Sequence, residues 1–408
     1  MKKLFEILSI KVSRRDAKTQ RKEKFRTLCV FASLRENFVF LVLIMLLATQ
    51  TASADWPLVR GDAMASGVAK ESLPEKLESV WEFTTEDSGF EATAIVVAGK
   101  VYLGDVDGTF YALRLSDGKV LWEQHFEDSG FLAGAAVVDQ RIFVGDFNGV
   151  VRALQAETGE EIWSYTASAE FYAAPNVFAD QVLVTTEAGE LISLDAKSGE
   201  MNWVFQIEAP LRCWPTVVAG RVLLAGCDER LHAVDIANGE EVAGIDIDGP
   251  TGSTPAVAVG NVLFGTEQGT FYSIATKPIS IRWQYRDAKR SQAIRTAAAV
   301  NDRTVVYGTR GKQVYALAPE SGELQWKFGV RSSVESSPII VGDRVFVATK
   351  RGRIYALDVA SGEETWQFEA GGGFMASPSV AEGKLILGNT DGTLYCFGEK
   401  RERAADER

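Results

Sequence analysis

Tyr355-Ala356-Leu357-Asp358-Val359-Ala360-Ser361-Gly362-Glu363-Glu364-Thr365-Trp366 is the clearest copy of a phrase that runs through this chain. Nearly the same wording stands at Tyr111 to Trp122, Arg152 to Trp163, Ile192 to Trp203 and Tyr315 to Trp326. Two copies are worn. The one from His232 has Ala243 in place of Trp, and the one from Tyr272 keeps Trp283 but has Ile279 in place of Gly. The tryptophans return about every 40 residues, a period that marks a repeat architecture.

Working outward from Trp366, the unit divides into four short strands. Ser337 to Val341 is an inner segment, and Gly342-Asp343 turns it into Val345 to Ala348. Lys350 to Gly352 turn again, Ile354 to Leu357 form a third strand, and Ser361-Gly362 lead into a fourth that ends on the Trp. Segments this short, bounded by Gly, Asp and Asn, predict antiparallel hairpins. No helical period interrupts them. The residue after the Tyr column is always small (Ala112, Ala153, Ser193, Ala233, Ser273, Ala316, Ala356, Cys396), and the next is always apolar. Alternation of large and small lets neighbouring sheets interlock at interior density. The expected fold is all-β: an eight-bladed β-propeller of four-stranded antiparallel blades.

Ring closure is also legible. The last unit, Phe374 to Phe397, has three strands and then stops at Gly398. A lone candidate, Ser79-Val80-Trp81-Glu82-Phe83, sits before the first unit. It is expected to complete the last blade, since an open sheet edge invites aggregation. The domain plan is a signal peptide over 1–54, an extension packing on the propeller over 55–78, the propeller over 79–398, and a charged tail over 399–408.

The export reading rests on a basic start, an apolar run of about 11 residues from Phe38 to Ala48, and Ala52-Ser53-Ala54 as a cleavage site. The run is short of the about 20 apolar residues a membrane span needs, so no stable span is expected after cleavage. The predicted location is periplasmic or secreted, in a bacterial context. Through residue 54 the chain carries 11 Lys+Arg against 4 Asp+Glu; with a whole-chain charge of -12, the remainder is near -19. That balance argues against nucleic acid, which needs basic surface to displace counterions. A monomer is expected.

Beyond the first 54 residues three cysteines remain. Cys213 and Cys227 flank a hairpin centred near Gly220 and are candidates for a disulfide across paired strands. The alternative is that both are small buried residues. His232 stands in the Tyr column and reads as a half-buried ring, not a ligand. Asp105-Val106-Asp107-Gly108 has the start of a calcium loop without its later Glu, and reads as a hairpin turn. No histidine–cysteine cluster has zinc spacing, and no catalytic or metal residue is assigned.

At Ala356 to Trp366 the pattern Ala-Leu-Asp-x-x-Ser-Gly-Glu-x-x-Trp resembles the tryptophan-docking repeat of the pyrroloquinoline quinone (PQQ) family of propellers, also called quinoprotein alcohol dehydrogenase-like. The resemblance covers roughly 79–398. It implies that Trp122, Trp163, Trp203, Trp283, Trp326 and Trp366 pack between blades, and closure adds Trp81. Trp56-Pro57-Leu58-Val59-Arg60-Gly61-Asp62 resembles a leader found in exported members, expected to pack on one face of the ring. One branch of the family holds PQQ and calcium at the propeller centre and oxidises alcohols; the other contains cofactor-free scaffolds of the outer-membrane assembly machine. The chain has no adjacent Cys-Cys pair, near-uniform blades, and no Asp singled out as a base. Trp214 has the character to stack on a quinone, or to fill the channel wall.

The expectation is therefore a non-enzymatic scaffold without cofactor that binds another envelope protein, with a PQQ- and calcium-dependent alcohol dehydrogenase as the alternative. Recognition is sought where repeats differ. One column at the inner strands is mostly apolar: Phe90, Phe131, Phe171, Leu211, Thr251, Ile294, Val334 and Phe374. The neighbouring column is mixed, and supplies the candidate recognition rim: Glu91, Tyr172, Arg212, Arg295, Glu335 and Met375. Adjacent positions on a strand face opposite ways, so the first column is expected to pack and the second to surround the channel mouth.

Overall fold

The computed structural model describes residues 55–400. These form the eight blades of a β-propeller, each with four antiparallel strands, and there is no helix among the described residues; the short strand Val68–Ala69 adds a fifth, parallel strand along the inner strand Ile339–Val341 of blade 7. Blade 1 runs from the inner strand Ile95–Val97 through Lys100–Gly104 and Thr109–Arg114 to the outer strand Val120–His125. Blades 2 to 7 repeat this order. Blade 8 takes its inner three strands from Ser379–Ala381, Lys384–Gly388 and Thr393–Gly398, and its outer strand from Glu78–Thr84. Trp81 lies opposite Cys396 and Glu82 opposite Tyr395, so the expected closure is the one observed.

The repeated phrase is explained by its register. In every blade a bulge interrupts the pairing of the third and fourth strands just before the Trp position. An extra residue on one strand re-aims the side chains after it. The ladder then resumes with the Trp opposite the small column: Trp366 faces Ala356, Trp203 faces Ser193 and Trp81 faces Cys396.

Each docking Trp reaches into the following blade. Its indole Nε1 donates to a carbonyl there: Trp81 to Leu115, Trp163 to Ala196, Trp326 to Val359, at 2.8 to 3.2 Å. In six of the seven, the ring lies over the turn Gly of that blade; Trp366 instead packs edge-on against Phe397 of blade 8, which has no such turn. Gly362 has φ +73°, and a Cβ built there would come within 2.5 Å of the Trp326 ring. Only Gly tolerates both conditions. The Asp of the phrase holds the same turn: Asp358 Oδ1 accepts from the backbone of Ala360 and Ser361 and from the Ser361 hydroxyl.

The two worn copies are the two sides of a single joint. Ala243 belongs to blade 4, and Ile279 occupies the turn region of blade 5 that a blade-4 Trp would meet. Both pack against the same cluster, with Val257, Val262 and Ile274. Bulk that elsewhere comes from Trp on one side comes here from Ile on the other.

The two ends of the ring differ. At one end lie the hairpins joining the first and second strands, and the turns that receive the tryptophans. At the other lie the turns joining the second and third strands, together with the blade-to-blade loops. Backbone bonds such as Arg310 N–H to Ala293 and Lys350 N–H to Ser333 tie the latter two together. We call these the hairpin face and the loop face.

Candidate functional site

The leader closes the hairpin end of the axis. The backbone N–H of Val96, Val137, Val217, Val257, Val300 and Ile340, one per blade, donates to carbonyls of Trp56, Pro57, Ala63, Met64, Ser66 and Gly67 at 2.8 to 3.1 Å. Blade 3 contributes the Asn176 amide, which donates to Ala63. Blade 8 contributes the Gly383 N–H, which donates to Glu71. Every blade is thus bonded to one chain segment. Without it these inward N–H groups would lack partners, which costs free energy wherever water is excluded.

Arg60 is the centre of this plug and is 2% exposed. Its guanidinium donates to the carbonyls of Ala298, Pro338 and Ser337 in blades 6 and 7. Burial lowers its pKa to about 10, against the opposing pull of Asp62. The leader motif was visible in the sequence, but its contacts come from all eight blades, spread along the whole chain, so no local pattern assigned it this position.

Above the plug, hydroxyls serve the backbone. Thr93 accepts from Ser377 N–H, Ser377 from Ser337 N–H, Ser337 from Ala297 N–H, and Thr254 from Trp214 N–H. Trp214 is buried; its indole donates to Pro175, and it packs with Leu58 and Ala65. It therefore fills the channel wall.

At the loop face the two sequence columns separate. All eight residues of the apolar column are at most 2% exposed. In the mixed column Glu91, Glu335 and Met375 are half-buried, Arg212 and Arg295 are exposed, and Tyr172 is 49% exposed. These six residues sit on six different blades, so the structure distributes them around the ring and does not gather them into one cluster. Three carry ion pairs to the preceding blade. Arg212 binds Glu187 through two nitrogens at 2.7 and 2.8 Å. Arg295 meets Glu267 at 2.7 Å, and Glu335 meets Arg310 at 3.1 Å with the charges reversed. Sequence reading missed Glu187, Glu267 and Arg310. A signal existed: opposite charges recurring 25 to 28 residues apart, between a turn and the next inner strand.

The remaining polar candidates have structural partners. Asp105 Oδ1 accepts from Asp107 and Thr109 N–H, and its Oδ2 from the Tyr111 hydroxyl, so it caps its own hairpin. His232 is 3% exposed, more buried than its column suggested, with ring nitrogens 3.0 and 2.9 Å from Glu241 and Asp228. Among the described residues no group of three His, Cys, Asp or Glu is placed to hold a metal.

Cys213 and Cys227 are free thiols. Thr216 pairs with Leu223, which centres the hairpin between Ala219 and Gly220 and not on Gly220. Continuing that register sets Cys213 against position 226, and successive residues point to opposite sides. Burial pushes the Cys213 thiol up to about 12. The expected signal peptide and the tail beyond residue 400 lie outside the described residues.

Charge on the loop face is segregated. Blades 1 to 4 present exposed Glu127, Asp128, Glu170, Glu208, Asp228 and Glu229. Blades 6 and 7 present exposed Lys289, Arg290, Lys312, Arg331, Lys350 and Arg351. The loop feeding blade 6 is also longer. Trp283 and Ile294 are 11 residues apart, against 8 for Trp326 and Val334. Whole-chain charge averages these arcs away.

Solved structures share this architecture. BamB from Moraxella catarrhalis aligns with a TM-score of 0.67 at 19% identity, over 80% of this chain and 99% of that one. The quinohemoprotein alcohol dehydrogenase from Comamonas testosteroni gives 0.71 at 16% identity, over 87% and 82%. The computationally designed Ika8 protein gives 0.71 at 16% identity, over 79% and 100%. At such identities the likeness is one of fold. Comparison with curated proteins yields no match. A family model described as outer membrane protein assembly factor BamB matches residues 107–287 and 280–401, and on that extent the chain belongs to this PQQ-like propeller family.

Proposed function

We propose that this protein is an exported, cofactor-free scaffold that binds a partner protein of the cell envelope through its loop face. The observation that carries the reading is the leader: it seals the hairpin end of the axis by bonding to all eight blades, while the loop face keeps a non-repeating, charge-segregated surface. Non-repeating side chains on a repeating frame are where a specific partner can be distinguished.

The donor chemistry supports this over the quinone alternative. A quinone with calcium needs several free oxygen ligands, a carboxylate base and flat surfaces on both sides of the ring. Here the hydroxyls near the axis accept backbone N–H groups, and Trp214 is wedged against the leader. Glu187, Glu267 and Glu335 are each held by an arginine. These residues do not fit that group.

Two measurements test the proposal. Titration with PQQ and calcium is expected to show no stoichiometric binding; tight binding with dye-linked alcohol oxidation would overturn the scaffold reading. Photo-crosslinking residues placed at Tyr172 or Met375 are expected to trap a discrete envelope protein identifiable by mass spectrometry. The same residue at Gly220 or Gly260, on the hairpin face, is expected to trap none.

A further inference from the structure

We infer that the basic arc on blades 6 and 7 of the loop face is a docking site for an extended acidic segment of a partner protein. This rests on the scaffold reading and names the chemistry of the partner at that face. Outside the first 54 residues the chain is acidic, near -19, so a cluster of cations there runs against its overall balance. Lys289, Arg290, Lys312, Arg331, Lys350 and Arg351 are all exposed, and none forms an ion pair among the described residues. Their neighbours Arg295, Arg310 and Lys327 are already matched to Glu267, Glu335 and Asp287. Surface cations usually sit among acids of the same protein; here six remain unmatched on two adjacent blades.

The longer loop is built to hold part of the arc. Asp287 accepts from the backbone N–H of Lys289 and Arg290 and from the Tyr315 hydroxyl. Ser291 donates to Gln268 and accepts from Arg286 Nε. Beneath the loop, Tyr315, Tyr307 and Phe271 stack in sequence, with centroids 5.4 and 4.2 Å apart. Lys289 and Arg290 are thus presented from a loop with fixed bonds over an aromatic stack. Lys312, and then Lys350 and Arg351, repeat the same turn one blade apart, so a chain crossing the two blades meets a cation at each.

The shape of the charge pattern selects the ligand class. A flat polyanion, such as an anionic bilayer or a duplex, would meet the acidic arc of blades 1 to 4 together with the basic one. Screening at physiological salt acts over about 8 Å, so a narrow ligand feels one arc alone. No exposed large hydrophobic lies among these six cations to anchor the arc in lipid. A narrow acidic polypeptide satisfies both conditions.

The test uses the mature chain and a fluorescein-labelled ten-residue oligoglutamate, read by anisotropy across a salt series. Binding is expected at low salt, weakening steeply as salt rises. A variant carrying Lys289→Glu, Lys350→Glu and Arg351→Glu should bind at least tenfold more weakly with unchanged thermal stability. A control carrying Glu127→Lys and Glu170→Lys should bind as tightly as, or slightly more tightly than, the parent. No binding at low salt, or equal binding by the triple variant, overturns the proposal. So does preferential binding to phosphatidylglycerol vesicles, or a concentration-dependent dimer in ultracentrifugation that the triple variant abolishes. If peptide binding fails while crosslinks from Tyr172 or Met375 persist, the docking proposal falls and the scaffold reading stands. Stoichiometric PQQ binding would remove the scaffold reading instead.

Discussion

Trp326 and Gly362 show at the scale of single residues why the phrase is repeated so faithfully. The indole is buried, donates to the Val359 carbonyl at 2.8 Å, and lies on a glycine with no room for a methyl group. Trp326→Ala removes both packing and donor, and should cost about 3–5 kcal/mol in denaturant unfolding. Gly362→Ala should cost about 1–2 kcal/mol from its left-handed backbone alone, with more from displacing the ring. If the alanine at 362 were neutral, the glycine would not be what seats the indole. A second residue-scale effect concerns pH. Burial raises the pKa of the Glu71 carboxyl above its ordinary value, in spite of bonds from the backbone of Gly383 and Glu382. An acid whose pKa is higher folded than unfolded opposes folding once ionised. Its penalty is absent below the unfolded value and grows as pH rises through the folded one. Glu71→Gln should therefore raise the melting temperature at neutral pH and leave it unchanged at acidic pH, below about 4. A gain that is the same at every pH would rule out this cause.

The joint between blades 4 and 5 carries the element-scale argument. At six of the eight joints Trp projects from one blade onto a glycine of the next; here Ala243 and Ile279 share the space in the opposite sense. Ala243→Trp alone should destabilise by about 1–3 kcal/mol through overpacking. Ile279→Gly alone should also destabilise, by leaving a cavity. Together they should recover part of the loss, with a coupling of about 0.5–3 kcal/mol measured by a double-mutant cycle. Strict additivity would mean that the two positions do not compensate. Legibility in sequence follows the same boundary. Strand order, blade count and the closing role of Trp81 follow from local spacing, because hairpins and period-two faces are local. Ala243 and Ile279 were each visible as exceptions, yet their complementarity depends on which blade edges meet. The ion pairs of Arg212, Arg295 and Glu335 were half visible for that reason: the rim column was in view, while its partners stood a blade away. The free state of Cys213 and Cys227 turned on half a residue of hairpin register.

At the scale of the whole molecule, residues 55–84 do two things at once. The first part plugs the axis, and Glu78–Thr84 closes the ring as the outer strand of blade 8. Between them, the Arg344 guanidinium of blade 7 gathers the carbonyls of Leu73, Pro74 and Glu75, and Trp366 donates to Leu77. Plug and clasp are therefore one continuous strap, bonded to every blade. Arg60 is its most buried charge, shared by carbonyls of blades 6 and 7. Arg60→Met keeps much of the side chain's length and removes every donor, leaving buried carbonyls without partners at about 1–3 kcal/mol for an unmatched group. The readout that isolates this effect is hydrogen exchange. The N–H groups of Val217, Val257, Val300 and Ile340 bond only to the leader, so loosening it should speed their exchange, most at Val300 and Ile340 beside the lost guanidinium. Ladder amides inside the blades, such as those pairing Val345 with Leu357, should keep their protection, because the sheets do not depend on the plug. Uniform loss across both sets would instead show that the strap and the blades unfold as one unit, and that opening the hairpin end of the axis requires opening the ring.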